Sequence, residues 1–462
     1  MDTKQTFKGH WFLPDYPESQ LTGTLTFDPE MGIELELLGI FENVKRLADH
    51  EPEIILGFTS NGKKITLYRC FATSRTSSFL GMETTTYKII YLLKGAHFET
   101  PTSLQFHSLR ASVHNLGPWI DITGFRTVKF DDKLKQGLVE YEIPPAIEFT
   151  TMDSILGKLD FDVSYPISRY TNKVELEQTS TVVFKSELAV PFKDMMGYYF
   201  HFQDFLTLAA FEATFPLSIE LVNNCLKDKV LGTERTPLIE VYFKHSIRFS
   251  DKKPKISRQF LFNYKDIETN FTKIIGKWFS IKALSKPVVG LLLDGFYNSG
   301  SFSENNFLNT AQGVETFHRR FRNNRVFSKA DYKKRMNAII DSVDSEYKEW
   351  LKAKLQFGYE PTLHQRLEEL IEEQSNETIA KIVSDKDQFI RDVKNSRNYY
   401  IHYNPELKKK ALDVSDLYYI NEKLRIILTC SLLSEVGFTQ EQIASLLRRN
   451  EWYLFNHILE SK

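Results

Sequence analysis

From about residue 20 to residue 260, short segments with alternating or continuous apolar positions predict β-strands. These predicted strands cover 23–27, 33–40, 54–58, 64–70, 87–93, 138–143, 180–188, 217–222 and 238–243. Only the segment 200–211 in this stretch has a convincing helical pattern. Short strands that recur between polar turns are typical of a β-sandwich or a related all-β architecture.

The pattern becomes helical after residue 265, where segments 270–281 and 287–297 predict helices. Further helices are predicted at 304–323, 332–343, 363–374, 386–402, 414–436 and 439–449. We therefore expect an α+β multidomain protein, because the strand pattern and the helical pattern occupy separate parts of the chain. Its parts are a β-rich, sandwich-like N-terminal domain (1–264), a helical connector (265–300) and an all-α helical bundle (301–462).

Composition supports a soluble globular protein and excludes several classes. The 462 residues are 42% hydrophobic and 26% charged, which allows more than one buried core. The cysteines Cys70, Cys225 and Cys430 are far apart and form no CxxC pair, so we expect neither a disulfide framework nor a zinc ribbon, and a cytoplasmic location. No segment is apolar enough for a signal peptide or a membrane span, and no phosphate-binding glycine motif or metal-ligand spacing is present. We expect no cofactor, no metal and no membrane partner.

The formal net charge of −1 requires that any nucleic-acid partner be held by a local basic patch. The segment HRRFRNNR (318–325) is one candidate, and the run Lys408–Lys410 is another. Each of them is either a phosphate-binding patch or a solvated helix end or loop.

The predicted helix 386–402 carries a misplaced arginine. Its apolar positions occupy one arc of a helical wheel, and Arg397 falls inside that arc, where a guanidinium is costly unless it is paired. Asn398 and His402, four positions apart, lie together on the opposite, polar side. Because Pro405 follows closely, we expect the helix to end near His402. This arrangement predicts a functional site.

The segment SRNYYIH (396–402) resembles the signature of the HEPN superfamily, in which an Arg is followed by a polar residue, often Asn, and then by a His. The segment FLNTAQGVETFHRRF (307–321) is similar to the opening helix of an Apea-like HEPN domain, with Glu315, His318 and Arg319 in its characteristic stretch. A β-rich domain before an Apea-like HEPN domain is the layout of ApeA-type antiphage proteins. The resemblance implies a dimeric, metal-independent endoribonuclease that cleaves tRNA or other single-stranded RNA and halts growth during infection.

The residue types fit that chemistry, because RNA supplies its own nucleophile, the 2′-OH. His402 is suited to move the proton, and Arg397 to hold the phosphate with its planar fork of donors. Asn398 either binds the phosphate or orients the imidazole, and Glu315 either pairs with Arg397 or fixes a histidine tautomer. We also expect Glu315, His318, Arg319, Arg320 and Lys394 to contact RNA.

An ideal helix directs Arg397 and His402 about 140° apart, so we expect a homodimer or higher oligomer, formed through the helical domain, to bring two such helices together. Three alternatives stay open. Arg397 and His402 are also compatible with a structural ion pair and a helix cap. The helical domain is also compatible with a non-catalytic RNA- or protein-binding scaffold. The β-rich domain is also compatible with a sensor for a ligand or a phage-derived trigger, including a carbohydrate bound by exposed Trp or Tyr clusters such as the region of Trp119.

Overall fold

The computed structural model describes residues 3–41, 51–76, 83–133, 135–151, 155–165, 175–230, 233–245, 253–298 and 303–452, with the isolated positions 455 and 458. The chain divides into two compact units, Met1–Gly276 and Lys277–Lys462. The predicted connector 265–300 spans this division. Residues 299–302, where the sequence places the start of the helical domain, lie outside the described residues.

The first unit is built mainly from strands. Its described strands are β1 Gln5–Leu13, β2 Tyr16–Asp28, β3 Gly32–Leu38, β4 Ile54–Thr59, β5 Lys64–Thr76, β6 Thr84–Lys94, β7 Gln105–Val113, β8 Phe125–Asp131, β9 Gln136–Tyr141, β10 Ile147–Thr150, β11 Leu156–Ser164, β12 Glu177–Pro191, β13 Pro216–Val222, β14 Asp228–Val230, β15 Thr233–Arg235 and β16 Leu238–Tyr242. Its helices are α1 Leu116–Ile120, α2 Phe192–Ala210 and α3 Tyr264–Ile267, with short 3₁₀ turns at Pro101–Ser103, Ser257–Gln259 and Glu268–Asn270.

Strands β1 to β6 close into an antiparallel barrel. The strand order β1-β2-β3-β6-β5-β4 returns to β1, because β4 pairs with both β5 and β1. Strand β6 has β5 on one side over its whole length. On its other side it pairs with β3 up to Ile89 and with β16 from Leu92 onward. The barrel therefore continues through β6 into an open sheet with the order β16-β13-β7-β12-β11-β10.

Alternation along the strands places one row of side chains inside the barrel. In β3, the fully buried Ile33, Leu35 and Leu37 alternate with exposed residues. The large indole of Trp11 is also completely buried and belongs to the same apolar cluster. It packs against the backbone of Gly57, where a β-carbon would come within 2.3 Å of an indole carbon. The glycine leaves the space that the indole fills.

We predict that Gly57→Ala destabilises the barrel by about 1–3 kcal/mol, because the added methyl group overlaps Trp11 in a closely packed core. Urea unfolding of the full chain, followed by tryptophan fluorescence, measures this change. Gly276→Ala is the matched control, since its β-carbon would meet its nearest neighbour, the Thr150 carbonyl oxygen, at 3.8 Å. Equal stability of both variants would contradict this account of the barrel core.

Helix α2 packs against β7 and β12 of the open sheet, and most of its side chains are buried. Trp119 of α1 lies in the same core with 0% of its surface exposed, and its indole N–H donates to the Phe262 carbonyl at 3.1 Å. The expectation of an exposed carbohydrate-binding surface at Trp119 is therefore wrong. The ring packs against the aromatic side chains Phe205, Tyr264 and Phe271.

The second unit is helical in its described part. Helix α4 Phe271–Ser280 crosses the division between the units, and α5 Lys282–Tyr297, α6 Ser303–Phe321, α7 Lys329–Asp341, α8 Ser345–Leu355, α9 Leu363–Glu373, α10 Glu377–Ile382, α11 Lys386–His402, α12 Pro405–Lys408, α13 Val414–Val436 and α14 Gln440–Asn450 follow. Among the helices described, none combines the length and apolarity that a membrane crossing requires.

Helix α6 lies at the centre of this unit, where it packs against α5 and α13 and also contacts α9 and α11. Its stripe of Phe307, Ala311, Val314 and Phe317 is completely buried. The opposite face of α6 is polar, so the helix is amphipathic. The predicted order of a β-rich domain followed by a helical domain is confirmed.

Candidate active site

Helix α11 begins and ends where local chemistry requires. The Asp385 side chain caps the N-terminus by accepting from the Gln388 N–H at 2.9 Å. At the other end the helix stops at His402, as predicted, because Tyr403 adopts a left-handed conformation with φ 48° and the Asn404-Pro405 step follows. The buried face is formed by Phe389, Ile390, Val393, Ser396 and Tyr400.

Arg397 is held by one side chain from a different helix and one from its own. Its Nη2 lies 3.1 Å from Oε1 of Glu315 on α6, and the two side chains are 31% and 23% exposed. Its Nη1 donates to the Asn398 side-chain oxygen at 3.3 Å. The structure thus shows the first of the two roles considered for Glu315, the pairing with Arg397. A guanidinium has five N–H donors, so these two contacts leave others for a ligand.

His402 lies on a neighbouring stripe of the same helix. Lys394, Asn398 and His402 are spaced four residues apart, so they follow one another along one face of α11. Lys394 and His402 are both exposed. Within the described part of the chain, the His402 ring has no hydrogen-bond or ion-pair partner. Asn398 connects the two stripes, since it shares a face with His402 and accepts the hydrogen bond from Arg397.

An open groove of about 630 Å³ runs along the polar face of α6, and Glu315 and Arg397 are among its lining residues. Arg397 and Ile401 of α11 line one side, and Asp294 of α5 lines the groove as well. The α6 residues that line it are Asn305, Leu308, Asn309, Gln312, Glu315, Thr316 and Arg319. His402 is not among the lining residues. Apart from Glu315 and Arg319, the α6 lining was not identified from the sequence, although its spacing follows a single stripe of the helix.

Arginines of the basic segment 318–325 form ion pairs and hydrogen bonds within the fold. Arg322 makes a two-point contact with Glu373, with distances of 2.7 and 2.8 Å, and also reaches Glu435 at 2.6 Å. The hydrogen bonds to Glu373, and to a smaller extent to Glu435, raise the pKa of the Arg322 guanidinium above its ordinary value. Arg319 is exposed and pairs with Glu360 at 2.9 Å. Arg322 is thus a structural residue, whereas Arg319 remains accessible beside the groove.

Arg320 donates hydrogen bonds to backbone carbonyls of the neighbouring helix α5. Pro287 lies inside α5 and has no N–H to donate to the Ala283 carbonyl four residues earlier. Nη1 of Arg320 donates to this carbonyl and to that of Leu284, each at 3.2 Å. The side chain of Arg320 is nevertheless exposed at the surface of the unit.

His318 is completely buried, with 0% of its surface exposed. Nη1 of Arg366, itself 2% exposed, lies 2.9 Å from Nδ1, and Glu369 lies 2.8 Å from Nε2. Because a guanidinium can only donate, Nδ1 accepts and the Nε2–H donates to the Glu369 carboxylate. Its contacts therefore give His318 a structural role between α6 and α9. RNA could reach this ring only if the network opened.

We predict that His318→Ala lowers the free energy of unfolding by about 2–5 kcal/mol, because it leaves a cavity and an unsatisfied buried donor on Arg366. The RNA affinity of the folded variant should stay unchanged. Chemical denaturation and RNA binding by fluorescence anisotropy measure the two quantities. His364→Ala, a partly exposed histidine on α9, serves as control. A weaker RNA affinity with normal stability would make His318 an RNA contact instead.

The β-barrel unit followed by a helical unit with an Arg/Asn/His helix has the layout of an ApeA-type protein with a HEPN domain. The family model described as ApeA N-terminal domain 1 matches residues 6–278, more than half of the chain, and the chain belongs to this family. The Apea-like HEPN model matches residues 308–442, which include Glu315, Arg397, Asn398 and His402. No curated protein and no solved structure matches the chain.

Proposed function

We propose that the chain is a metal-independent endoribonuclease of the HEPN type. An Apea-like HEPN domain supports a nuclease-like antiphage role in general terms. The observation that carries the finer proposal is the guanidinium of Arg397, held by Glu315 and Asn398 beside an open groove, with His402 at the end of the same helix. These are groups that bind a phosphate and move a proton.

In the proposed reaction His402 accepts the proton of a ribose 2′-OH. The 2′ oxygen forms a bond to the adjacent phosphorus, and the bond from phosphorus to the 5′ oxygen of the next nucleotide breaks. The departing oxygen takes a proton from water, so the products carry a 2′,3′-cyclic phosphate and a 5′-hydroxyl. Arg397 stabilises the charge that grows on the phosphate oxygens. Glu315 acts as a positioning residue, because it restrains the guanidinium.

We propose further that the active form is a homodimer or higher oligomer assembled through the helical unit. Arg397 lines the groove, whereas His402 lies on the adjacent, exposed stripe of α11. Apposing two α11 helices across a two-fold axis would let the His402 of one protomer and the Arg397 of its partner face the same phosphate. HEPN domains commonly bind RNA and dimerise, which supports this arrangement.

The finer biological role is part of the same proposal. The substrate is tRNA or another single-stranded RNA, and its cleavage in the cytoplasm stops growth of the infected cell. The β-rich unit senses a phage-derived trigger, which fits a chain in which a separate compact unit precedes the HEPN domain.

Incubation of the purified full-length chain with total RNA in EDTA tests the activity. We expect discrete fragments whose 3′ ends carry a cyclic phosphate or its 3′-phosphate product, because the attack comes from the 2′-OH. Ligation to the 3′ ends before and after treatment with polynucleotide kinase, which removes both a 2′,3′-cyclic phosphate and a 3′-phosphate, identifies these ends. Fragments that end in a 3′-hydroxyl would point to a metal-dependent nuclease. Cleavage that occurs with Mg²⁺ but not in EDTA would point to the same class.

A non-catalytic RNA-binding scaffold is the second candidate, and the exposed position of His402 outside the groove favours it. In that case RNA would bind to the full chain and remain intact under every condition. Substitution of Arg397 would weaken binding, and substitution of His402 would change nothing.

A further inference from the structure

The charges along the groove are separated by position. Arg319 and Arg397 lie towards the C-terminal end of the α6 stripe, together with Glu315. The N-terminal end is lined by Asp294 and by amide side chains, and no cation lines it within the described residues. From Asn305 to Arg319 the stripe covers about 20 Å at the helical rise of 1.5 Å per residue. The groove therefore has a cationic end and an amide end.

The amide end offers both donors and acceptors. Asn305, Asn309 and Gln312 line it at helical spacing, so they form one row. Asn309 donates to one oxygen of Asp294 at 2.9 Å, and Asn298 donates to the other at 2.7 Å. The Asp294 carboxylate is thus held in place while keeping further lone pairs. Amide and carboxylate groups are those with which proteins recognise the edges of nucleobases.

We propose that the amide end of the groove binds the base of an unpaired nucleotide next to the scissile phosphate, with Gln312 as a specificity-determining residue. The inference rests on the proposed function, because the phosphate bound by Arg397 places the neighbouring nucleotide along α6. The exposed amide of Gln312 lies one turn before Glu315, at the side of the amide end that is nearest to the arginines. The substrate class that fits is single-stranded RNA, since a paired base cannot present its Watson–Crick edge.

A base fits this part of the groove better than a phosphate does. A phosphate at the amide end would face the Asp294 carboxylate without a cation to offset the repulsion. A base edge is neutral and can donate N–H groups to that carboxylate. The apolar side chain of Leu308 adds a surface for the base ring. The strand is therefore oriented with its phosphate at Arg397 and its base towards Asp294.

The test compares the full-length wild type with Gln312→Ala on a random-sequence pool of single-stranded RNA, with the cleaved ends sequenced. The wild type should prefer one or two bases beside the cut. In Gln312→Ala this preference should fall by about 5- to 100-fold, the effect of one paired base contact. The loss should fall on the favoured sites, because Gln312 is proposed to contact the base and not the reacting atoms. Asn337→Ala, an exposed amide on α7, is the matched control.

Binding separates this inference from the nuclease proposal. If the wild type cuts no RNA but binds homopolymeric oligoribonucleotides selectively, and Gln312→Ala loses that selectivity, the base site stands and the nuclease proposal fails. If the wild type cuts and Gln312→Ala keeps the same preference, the base site is overturned while the nuclease stands. A wild type without base preference also overturns the base site. A change in the oligomeric state of Gln312→Ala, measured by light scattering, overturns it as well, because protein and not RNA would then cover the groove.

Discussion

The variant His402→Ala should cleave RNA at least about 100-fold more slowly than the wild type, with its fold intact. Loss of a general base typically costs 10²- to 10⁴-fold in rate. His402 is exposed and, among the described residues, has no partner, so its removal should leave the free energy of unfolding within about 0.5 kcal/mol. Single-turnover cleavage of one labelled RNA, together with circular dichroism, measures both effects.

His364→Ala is the matched control for this variant, because it removes another accessible imidazole from the same helical unit. It should cut at the wild-type rate. Near-wild-type cleavage by a folded His402→Ala protein would remove His402 from the mechanism. Normal RNA binding in His402→Ala, alongside lost cleavage, would separate a chemical role from a binding role.

The sequence allowed the main elements to be predicted where one face of an element packs on a core. Strand 33–40 and helix 386–402 were predicted within two residues of the observed ends, because their buried positions repeat with the period of a strand or a helix. Strand β7 was not predicted, since Gln105, Ser108 and Arg110 interrupt its apolar pattern. Closure of the barrel was also not predicted, because it depends on pairing of β1 with β4 and of β5 with β6, for which no local signal exists.

In the candidate site, too, the local features could be predicted from the sequence and the contacts between helices could not. Helical periodicity alone predicted that Arg397 lies in an apolar arc and needs a partner. That partner, Glu315, is on another helix, and only the packing of α6 on α11 brings the two together. The burial of His318 could not be predicted, because a histidine in a basic segment looks accessible. Its burial depends on Arg366 and Glu369 from α9, which lie about 50 residues further along the chain.

Arg397→Lys should lower cleavage steeply and change stability and dimerisation little. Lysine keeps the positive charge and can still pair with Glu315, but it lacks the planar fork that contacts phosphate at two points. The expected loss is therefore in the rate constant of cleavage more than in RNA affinity. Arg391→Lys, which alters an exposed arginine on the same helix, is the control and should behave as the wild type.

Arg397→Met tests whether the arginine is only structural. The Arg397–Glu315 pair is partly exposed, and such pairs contribute little to stability, so an arginine that served the fold alone could be exchanged for an apolar residue at small cost. Methionine fits the apolar arc of α11 beside Ile401. We therefore expect Arg397→Met to fold and dimerise, to bind RNA more weakly and to cut at least about 100-fold more slowly, since the phosphate loses its main cation. Removing the cation also leaves Glu315 as an unpaired carboxylate facing the groove, which adds to the loss of RNA affinity; Glu315→Gln combined with Arg397→Met should recover part of the binding and none of the cleavage. A folded Arg397→Met protein with full nuclease activity would exclude the catalytic role of Arg397 and leave the Glu315 pair as a structural contact between α6 and α11.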